Sequence, residues 1–433
     1  MIKALSKLPW IAKGATVVLF INMELHAAGF SASDSLGGTT LGRSNAGSAA
    51  IGEDAMTVFS NPAGLTRLSD QHWVIVTNLF APSVKFRNHG STDNNQLAMN
   101  GGNGGDAGIL TPAPNFYYAG PLSDRWTIGF AFNTPFGLSL EYDRDWAGRY
   151  YTIDAGLLGV NLNPGVGFKV NDRLSIGAGV SLNYANLKLS NAIDFGAILG
   201  TGSQSMDGLI ELEGDNWSWG FNLGVLFTLS EQTRIGIAYR SDIKHTIKGD
   251  ADFSTPEAAK PLQPLFTDTG FEVSTSLPES ISISLYHQLT TCLAVMTSFS
   301  YTRWSRFQEL GIIFDNPAQP DAVTPKNWHN TWRIAIGLDY SYSPIWRFQA
   351  GFAFDESAIP DETFDPIAPT PKILSLSLGA LYRYSDTLSF GFGYNHIAPE
   401  KQDIDLTGNG QGTLSGEIDV TSNILGIQLN WHF

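Results

Sequence analysis

The chain has 433 residues, of which 45 are glycine, 12% are aromatic and only 15% are charged. A soluble chain of this length ordinarily forms about two or three domains, but this composition is more typical of a glycine-rich and aromatic β protein. The formal net charge of −15 argues against nucleic-acid binding, because the phosphates would be repelled. The single cysteine, Cys292, excludes an intramolecular disulfide.

The N-terminus has the pattern of a secretory signal. Three lysines precede a short apolar run from Ala15 to Ile21, and the small residue Ala27 provides a cleavage site. We therefore predict a signal peptide over residues 1–27. An N-terminal membrane anchor is the alternative, but the apolar run is much shorter than the roughly 20 residues that a spanning helix needs. No other apolar stretch of that length follows in the sequence.

The segment of residues 28–70 is rich in Gly, Ser and Ala and shows no sustained alternation of apolar and polar residues. Residues 44–58 are compatible with one or two short helices. The tripeptide Asn61-Pro62-Ala63 follows them, and proline disfavours a helical conformation in the residue before it. A helix stop before the first strand is therefore one interpretation of this tripeptide.

From residue 71 onwards, the sequence repeatedly alternates apolar with small or polar residues, which indicates strands with two different faces. In residues 174–184, for example, one face carries Leu174, Ile176 and Val180, and the other carries serine, glycine and asparagine. The same pattern occurs in residues 217–227, 281–289, 332–340, 348–354, 374–384, 388–394 and 425–433.

The connections between these strands alternate in kind. Six are tight polar turns, at residues 123–124, 171–172, 230–232, 290–291, 343–344 and 385–386. Seven are long, at about residues 87–111, 136–158, 190–215, 249–274, 309–328, 356–371 and 399–417. This arrangement predicts an all-β fold over residues 71–433, a transmembrane antiparallel β-barrel of about 14 strands. A soluble sandwich is the alternative for any single strand, but the strict alternation of turns and loops favours the barrel.

A ring of fourteen strands encloses more space than its own side chains can fill. We therefore expect residues 28–70 to form an N-terminal hatch, a plug with short helices inside the lumen, the alternative being a disordered periplasmic arm. Aromatic residues near strand ends are typical of girdles at the membrane surface, although a buried position is possible for any single one. They are Trp126, Tyr142, Trp146, Tyr150, Tyr151, Trp217, Trp219, Trp304, Trp328, Trp346 and Trp431.

An ordered set of short motifs resembles the FadL family (OmpP1/FadL/TodX) of outer-membrane transporters for long-chain fatty acids and hydrocarbons. The motifs are Ala28-Gly29-Phe30, Leu41-Gly42-Arg43, Asn61-Pro62-Ala63, residues 135–138 with 145–150, residues 239–241 with 249–253, and residues 302–308. No single tripeptide is specific, but together the motifs cover essentially the whole mature chain.

The resemblance implies a monomeric transporter in the outer membrane of a Gram-negative bacterium, in contact with outer-membrane lipid and lipopolysaccharide. It implies passive transport of long-chain fatty acids, with aromatic hydrocarbons or alkanes as the alternative substrates. Loop capture, an interior pocket and lateral release through a gap in the wall would be the steps. It also implies that Phe30, Asn61, Pro62 and Ala63 act in the hatch or gate. We expect no catalytic residue, cofactor or bound metal.

Two long loops carry apolar clusters, which are unusual on a surface unless they bind something. We expect them to form a ligand-capture groove, although they could instead pack together and seal the mouth. Their residues are Ile193, Phe195, Ile198, Leu199, Leu262, Leu265, Phe266 and Phe271. A fatty-acid carboxylate would need a cation, for which Lys188 and Lys326 are the candidates.

Three functions other than selective transport are also compatible with a barrel, but the sequence favours none of them. A general diffusion porin is disfavoured by the hatch segment and the apolar loops. A lipid hydrolase would need a nucleophile and a base, and the sequence has neither a Gly-x-Ser-x-Gly nor a His-Glu-x-x-His motif. A receptor or adhesin would need larger loops than these.

Overall fold

The computed structural model describes residues 37–399, 401–408 and 410–433. The predicted signal peptide and Phe30 lie outside these residues. Among the described residues, no helix has the length and apolar character needed to cross a membrane.

Most of the described chain consists of antiparallel strands. The first ten are β1 (His72–Asn88), β2 (Thr111–Pro121), β3 (Trp126–Glu141), β4 (Asp154–Lys169), β5 (Leu174–Asp194), β6 (Asp207–Thr228), β7 (Thr233–Arg240), β8 (Ile243–Ser254), β9 (Thr269–Leu277) and β10 (Ser280–Gln288). The others are β11 (Leu293–Thr302), β12 (Glu309–Phe314), β13 (Ala322–Pro325), β14 (Thr331–Ser341), β15 (Trp346–Asp355), β16 (Ile373–Arg383), β17 (Leu388–Pro399), β18 (Gln402–Gly408) and β19 (Gly412–His432).

The helices are short. Three α-helices precede β1, and a fourth follows β5: α1 (Gly38–Leu41), α2 (Ser48–Ile51), α3 (Thr57–Ser60) and α4 (Phe195–Ile198). The 3₁₀ helices are Pro62–Arg67, Glu257–Leu262, Trp304–Arg306 and Asp361–Thr363.

The strands close into one ring, because β1 pairs with β2 on one side and with β19 on the other. Five wall strands are each interrupted once, so that β7 continues as β8, and the same holds for β9 with β10, β11 with β12, β13 with β14, and β17 with β18. The short strand β18 pairs only with the loop-side half of β19. Nineteen segments therefore make fourteen wall strands, and the predicted 14-strand barrel is confirmed.

Each wall strand has an apolar outer face and a small or polar inner face. On β5, Ile176, Val180 and Leu182 are 43–52% exposed, whereas Ser181 and Asn183 on the opposite face are buried inside the barrel. Exposed apolar side chains in such numbers are stable only against lipid, and backbone pairing continues around the ring apart from local breaks in the ladder. The apolar residues of the period-two pattern therefore face outward, and the small and polar residues face the lumen.

The six predicted tight turns are confirmed as four-residue connections, which define the turn side of the barrel. On the opposite, loop side the strands extend further than expected. Residues 190–215 were expected to be one loop, but β5 continues to Asp194 and β6 begins at Asp207. The outer face no longer meets lipid there and carries charges such as Glu211 and Glu213, while the apolar residues of the alternation, Ile210 and Leu212, are buried inside.

The predicted aromatic girdle is correct only in part. Trp126, Trp217, Trp219, Trp346 and Trp431 are 37–69% exposed on the outer surface. The prediction is wrong for a second group, which is at most 6% exposed because these side chains pack into the loop-side core: Tyr142, Trp146, Tyr150, Trp304 and Trp328.

Residues 37–70, here called the plug, fill the turn-side half of the lumen and touch strands all around the ring. Close packing is possible because the facing wall residues are glycines. A Cβ atom placed on each of these glycines would lie less than 3 Å from a plug atom: Gly129, Gly165, Gly167, Gly177, Gly224, Gly236, Gly337, Gly351, Gly379 and Gly393. Much of the glycine content therefore allows the plug and wall to meet backbone to backbone.

We predict that Gly236→Val displaces the plug, because the new side chain would overlap the carbonyl group of Ala49. The expected result is a higher ion conductance in planar bilayers. Gly311→Val is the matched control, since a Cβ there meets no atom within 4 Å. Equal conductance of the two variants would contradict the packing argument.

Candidate functional site

An apolar cavity, here called the upper cavity, lies in the loop-side half of the barrel. It is covered by the connection between β15 and β16, residues 356–372. Its wall includes Leu138, Leu157, Leu187, Leu189, Ile247, Val273, Leu277, Trp304, Phe307, Leu310, Trp328, Ile359, Ile367 and Ala368. Its mostly aliphatic and aromatic lining is typical of pockets for small apolar ligands.

Interruptions in the wall strands supply the large aromatic side chains of this cavity. Trp304 and Phe307 lie between β11 and β12, and Trp328 lies between β13 and β14. The Trp328 ring centroid is 5.1 Å from that of Trp304 and 4.9 Å from that of Phe307, both edge to face. The breaks in the ladder therefore build a rigid apolar surface.

Lys326 lines the upper cavity, but its charge is already compensated. Its ammonium group forms an ion pair with Asp365, and the side chains of the two residues are only 4% and 11% exposed. The pair adds no net charge to the cavity. No sequence pattern indicates Asp365 as the partner of Lys326, because Asp365 lies in the irregular covering loop.

Lys188, the other predicted carboxylate ligand, does not reach either cavity. It is exposed on the outer face of β5, whereas its neighbours Leu187 and Leu189 line the upper cavity. Residues next to each other in a strand point to opposite sides of the sheet. We therefore leave Lys188 out of the site.

The residues of the predicted capture groove divide into buried and exposed groups. Phe195 and Phe271 are 0% and 2% exposed, and Phe195 packs against Phe266 with ring centroids 4.8 Å apart. Ile198 and Leu265 are 51% and 37% exposed. The structure places Ile193, Leu199, Leu262 and Phe266 at half-buried positions. Part of the cluster thus packs the mouth closed, and a smaller part meets the outside.

A second cavity, the lower cavity, lies between the plug and the upper cavity. Its lining is more polar and includes Met56, Phe59, Pro62, Tyr117, Pro135, Phe136, Asn222, Arg240, Ser280 and Ser282. Three buried side chains, Phe136, Ile243 and Leu277, pack together at the boundary. Leu277 lines the upper cavity and Phe136 the lower one, so this cluster forms a partition between them.

The barrel wall has a gap beside the lower cavity. The ladder between β2 and β3 ends at the pair Phe116 and Phe132, and the next bridge joins Gly108 to Leu140. Between these points the two edges are connected by a hydrogen bond from the Thr134 amide to the Asn115 side chain, 3.1 Å long. A bulge in β3 between Asn133 and Phe136 causes the separation.

The structure describes three residues of the predicted gate, Asn61, Pro62 and Ala63. They lie where the plug contacts β5 and β6. The Asn61 side chain donates hydrogen bonds to the carbonyl oxygens of Ala49, at 2.6 Å, and of Val225 on β6, at 3.1 Å. Its own oxygen accepts one from the Ala63 amide, at 3.1 Å. Pro62 lines the lower cavity. Asn61 thus holds the plug together and fixes it to the wall.

An ion-pair network that no sequence motif predicts also fixes the plug to the wall. Arg43 of the plug contacts Glu53 and, at 2.9 Å, Asp339 of β14. Arg347 of β15 contacts the same two carboxylates, at 2.8 and 3.2 Å. Burial alone would raise the pKa of Glu53, but the positive charges of Arg43 and Arg347 lower it to about 2. The four groups together are neutral, which makes their burial tolerable.

Comparison with known proteins agrees with this architecture. A family model described as "Outer membrane protein transport protein (OMPP1/FadL/TodX)" matches residues 18–433. The chain is 26% identical over 442 residues to a long-chain fatty acid transport protein of Escherichia coli, with 97% of both chains covered. It is 27% identical over 460 residues to outer membrane protein P1 of Haemophilus influenzae, with 97% and 98% covered.

Two solved structures show the same fold. A FadL homologue of Pseudomonas aeruginosa has a TM-score of 0.88 at 22% identity, with 95% of this chain and 99% of that chain covered. The toluene transporter TodX of Pseudomonas putida has a TM-score of 0.73 at 16% identity, with 93% and 99% covered. At these identities the likeness concerns the fold alone.

We predict that attachment of the plug weakens as the pH rises through neutrality. Burial, followed by the charge of Glu53, raises the pKa of Asp54 from 3.8 to about 7. The neutral form is therefore favoured in the docked plug, so this stabilisation is complete below about pH 4 and is lost as the pH rises through 7. Amide exchange in residues 38–60, corrected for the intrinsic rate, should be faster at pH 8 than at pH 5.

Asp54→Asn should remove that difference, because the amide stays neutral at both pH values. Asp70→Asn is the control, since Asp70 is an exposed carboxylate of the same segment. The same pH dependence in the native protein and the Asp54 variant would contradict the assignment.

Proposed function

Because the chain belongs to the OMPP1/FadL/TodX family of outer-membrane transport proteins, we propose that it carries long-chain fatty acids passively across the outer membrane. The observation that supports this most directly is the apolar upper cavity, which a partition of three side chains separates from a lower cavity beside the break in the ladder between β2 and β3. A curated relative named as a long-chain fatty acid transport protein, aligned over nearly the full length, favours the same substrate.

The physical need for such a path follows from the membrane itself. The outer leaflet is a tightly packed, charged sugar layer that slows an amphipath, while a water-filled pore offers an apolar chain no stabilisation. Each methylene group removed from water gains roughly 0.8 kcal/mol. A long acyl chain is therefore held readily by an apolar cavity, and its release becomes the step that needs control.

The proposed route has three stages. The exposed residues Ile198 and Leu265 collect the substrate at the mouth, and the upper cavity holds its acyl chain. A shift of the partition at Phe136 then admits it to the lower cavity. From there it leaves sideways through the gap between β2 and β3, with Asn61, Pro62 and Ala63 controlling how far the plug yields.

A neutral monoaromatic hydrocarbon is the second candidate substrate. The neutral Lys326–Asp365 pair favours it, because the upper cavity then offers no uncompensated cation to a carboxylate. The structural likeness to a protein titled a toluene transporter suggests the same test. We propose neither an enzyme nor a general diffusion porin, since the relatives are named as transport or outer-membrane proteins and the plug occupies the lumen.

We predict that Leu265→Asp raises the palmitate concentration needed for half-maximal uptake, because a charge at the mouth weakens capture of an acyl chain. Leu97→Asp is the matched control, as Leu97 is 63% exposed on another outer loop. Uptake of radiolabelled palmitate by cells that depend on this protein gives the measurement. An equal effect of the two variants would contradict a role of Leu265 in substrate capture. Phe195 is unsuitable for this test, because it is buried and its replacement would disturb the loop.

We predict that Leu310→Asp lowers palmitate uptake at least tenfold, since a charge in the upper cavity opposes burial of several methylene groups. Val323→Asp, on the paired strand β13 but 55% exposed, should have little effect. Heat-modifiable migration on gels checks that both barrels fold. Toluene uptake measured in parallel decides the substrate: a protein that transports toluene and not palmitate would overturn the fatty-acid proposal.

A further inference from the structure

Arg240 occupies an unusual position at the end of β7, where the wall strand is interrupted before β8. Its side chain is half-buried and lines the lower cavity. The guanidinium carbon lies 3.6 Å from the centroid of the Phe59 ring of the plug. The cation therefore lies between the plug and the partition that leads to the upper cavity.

The guanidinium group of Arg240 uses only some of its N–H groups in hydrogen bonds to the protein. One N–H group donates to the Phe59 carbonyl oxygen at 2.7 Å, and another donates to the Ser181 hydroxyl group at 3.3 Å. Arginine carries five such groups, so three have no hydrogen-bond partner among the described residues. No carboxylate oxygen of the described residues lies within 4.0 Å of its nitrogens.

Several other cations inside the barrel are paired with carboxylates, and Arg234, which has no carboxylate partner among the described residues, lines neither cavity. Lys326 is paired with Asp365 in the upper cavity, and Arg43 and Arg347 share Glu53 and Asp339. A lumen charge without a counter-charge is costly unless water or a ligand satisfies it. The lower cavity thus presents a positive charge to its contents, and the upper cavity does not.

We propose that Arg240 is an anion-binding site that receives the carboxylate of an amphipathic monocarboxylic acid in the lower cavity. The inference rests on the proposed function and extends it, because it locates a headgroup site beyond the apolar holding cavity. Planar carboxylates match the fork of donors on a guanidinium group. The acyl chain can still reach through the partition while its headgroup is bound beside the wall gap.

In this arrangement, molecules with a carboxylate headgroup are distinguished from neutral ones in the lower cavity, on the way out, and not in the upper cavity. A neutral hydrocarbon enters the upper cavity equally well but gains nothing at Arg240. An acid gains charge-assisted hydrogen bonds once it passes Phe136. The site therefore draws acids in particular from the upper cavity towards the gap between β2 and β3.

Arg240 also holds the plug through Phe59, so the experiment must separate headgroup binding from plug anchoring. Arg234 provides the matched control. It donates to the Ala50 carbonyl oxygen of the plug at 3.1 Å and stacks on Tyr286 at 4.0 Å, yet it lines neither cavity. Its replacement removes a comparable plug contact without touching the proposed site.

The full chain is placed in lipid nanodiscs, and the equilibrium binding of radiolabelled palmitate and 1-hexadecanol is measured. Arg240→Gln should weaken palmitate binding about tenfold or more, because hydrogen bonds to a charged group are lost, and should change hexadecanol binding less than about threefold. Arg240→Lys should keep part of the preference for the acid. Arg234→Gln should leave the ratio of the two affinities unchanged.

Each other outcome overturns a distinct statement. Equal loss of acid and alcohol binding in Arg240→Gln, or the same loss of palmitate binding in Arg234→Gln, would reduce Arg240 to a plug anchor. Unchanged palmitate binding in Arg240→Gln would refute the site while leaving fatty-acid transport intact. A native protein that binds neither compound would overturn the proposed function itself.

Discussion

Every backbone polar group at membrane depth needs a partner within the protein, because hydrocarbon offers no hydrogen bonds. This constraint closes the ring through the long ladder between β1 and β19, which runs from the pair His72 and His432 to the pair Asn88 and Gly416. It also decides where the wall can be interrupted. Irregular backbone is tolerated where it lines a cavity or is covered by other parts of the protein, and the observed breaks lie in such places.

The breaks between β7 and β8, β9 and β10, β11 and β12, and β13 and β14 affect four neighbouring wall strands. At Pro278, next to the second break, proline cannot donate a ladder hydrogen bond. The freed segments turn Trp304 and Trp328 inward, and residues 356–372 fold down to cover them. The same departures from a regular sheet therefore create the apolar holding cavity and leave Arg240 at a strand end beside the lower one.

Much of the fold was predictable because lipid imposes a period of two on every wall strand and short turns join the strands on one side. Prediction failed where that constraint ends. In the loop-side extension of β6 the alternation of apolar with polar residues continues, but its faces are reversed: Ile210 and Leu212 are buried inside, and Glu211 and Glu213 lie on the outer face. Trp146 looked like a girdle residue because its position near a strand end does not reveal that it faces the core.

The site was less predictable than the wall because its groups come together only in three dimensions. Lys326 could be chosen as a cation near the mouth, but its partner Asp365 lies 39 residues later in an irregular loop. Lys188 was predicted to face a pocket, but its side chain lies on the opposite, outer face of β5. Arg240 appeared only within the family-like motif Tyr239-Arg240-Ser241, and neither spacing nor composition shows that it lacks a counter-charge.

The distribution of contacts around the plug indicates which side of it can yield. The network of Arg43 and Glu53 with Asp339 and Arg347 fixes it at β14 and β15. In the ring, four wall strands separate this anchor from the gap at β2 and β3 on one side, and six on the other. Towards the gap, the plug instead packs through an apolar cluster against β1, β2 and β3. Such packing is less directional than paired charges, so the contacts on the side of the gap define the position of the plug less strictly than the charged anchor does.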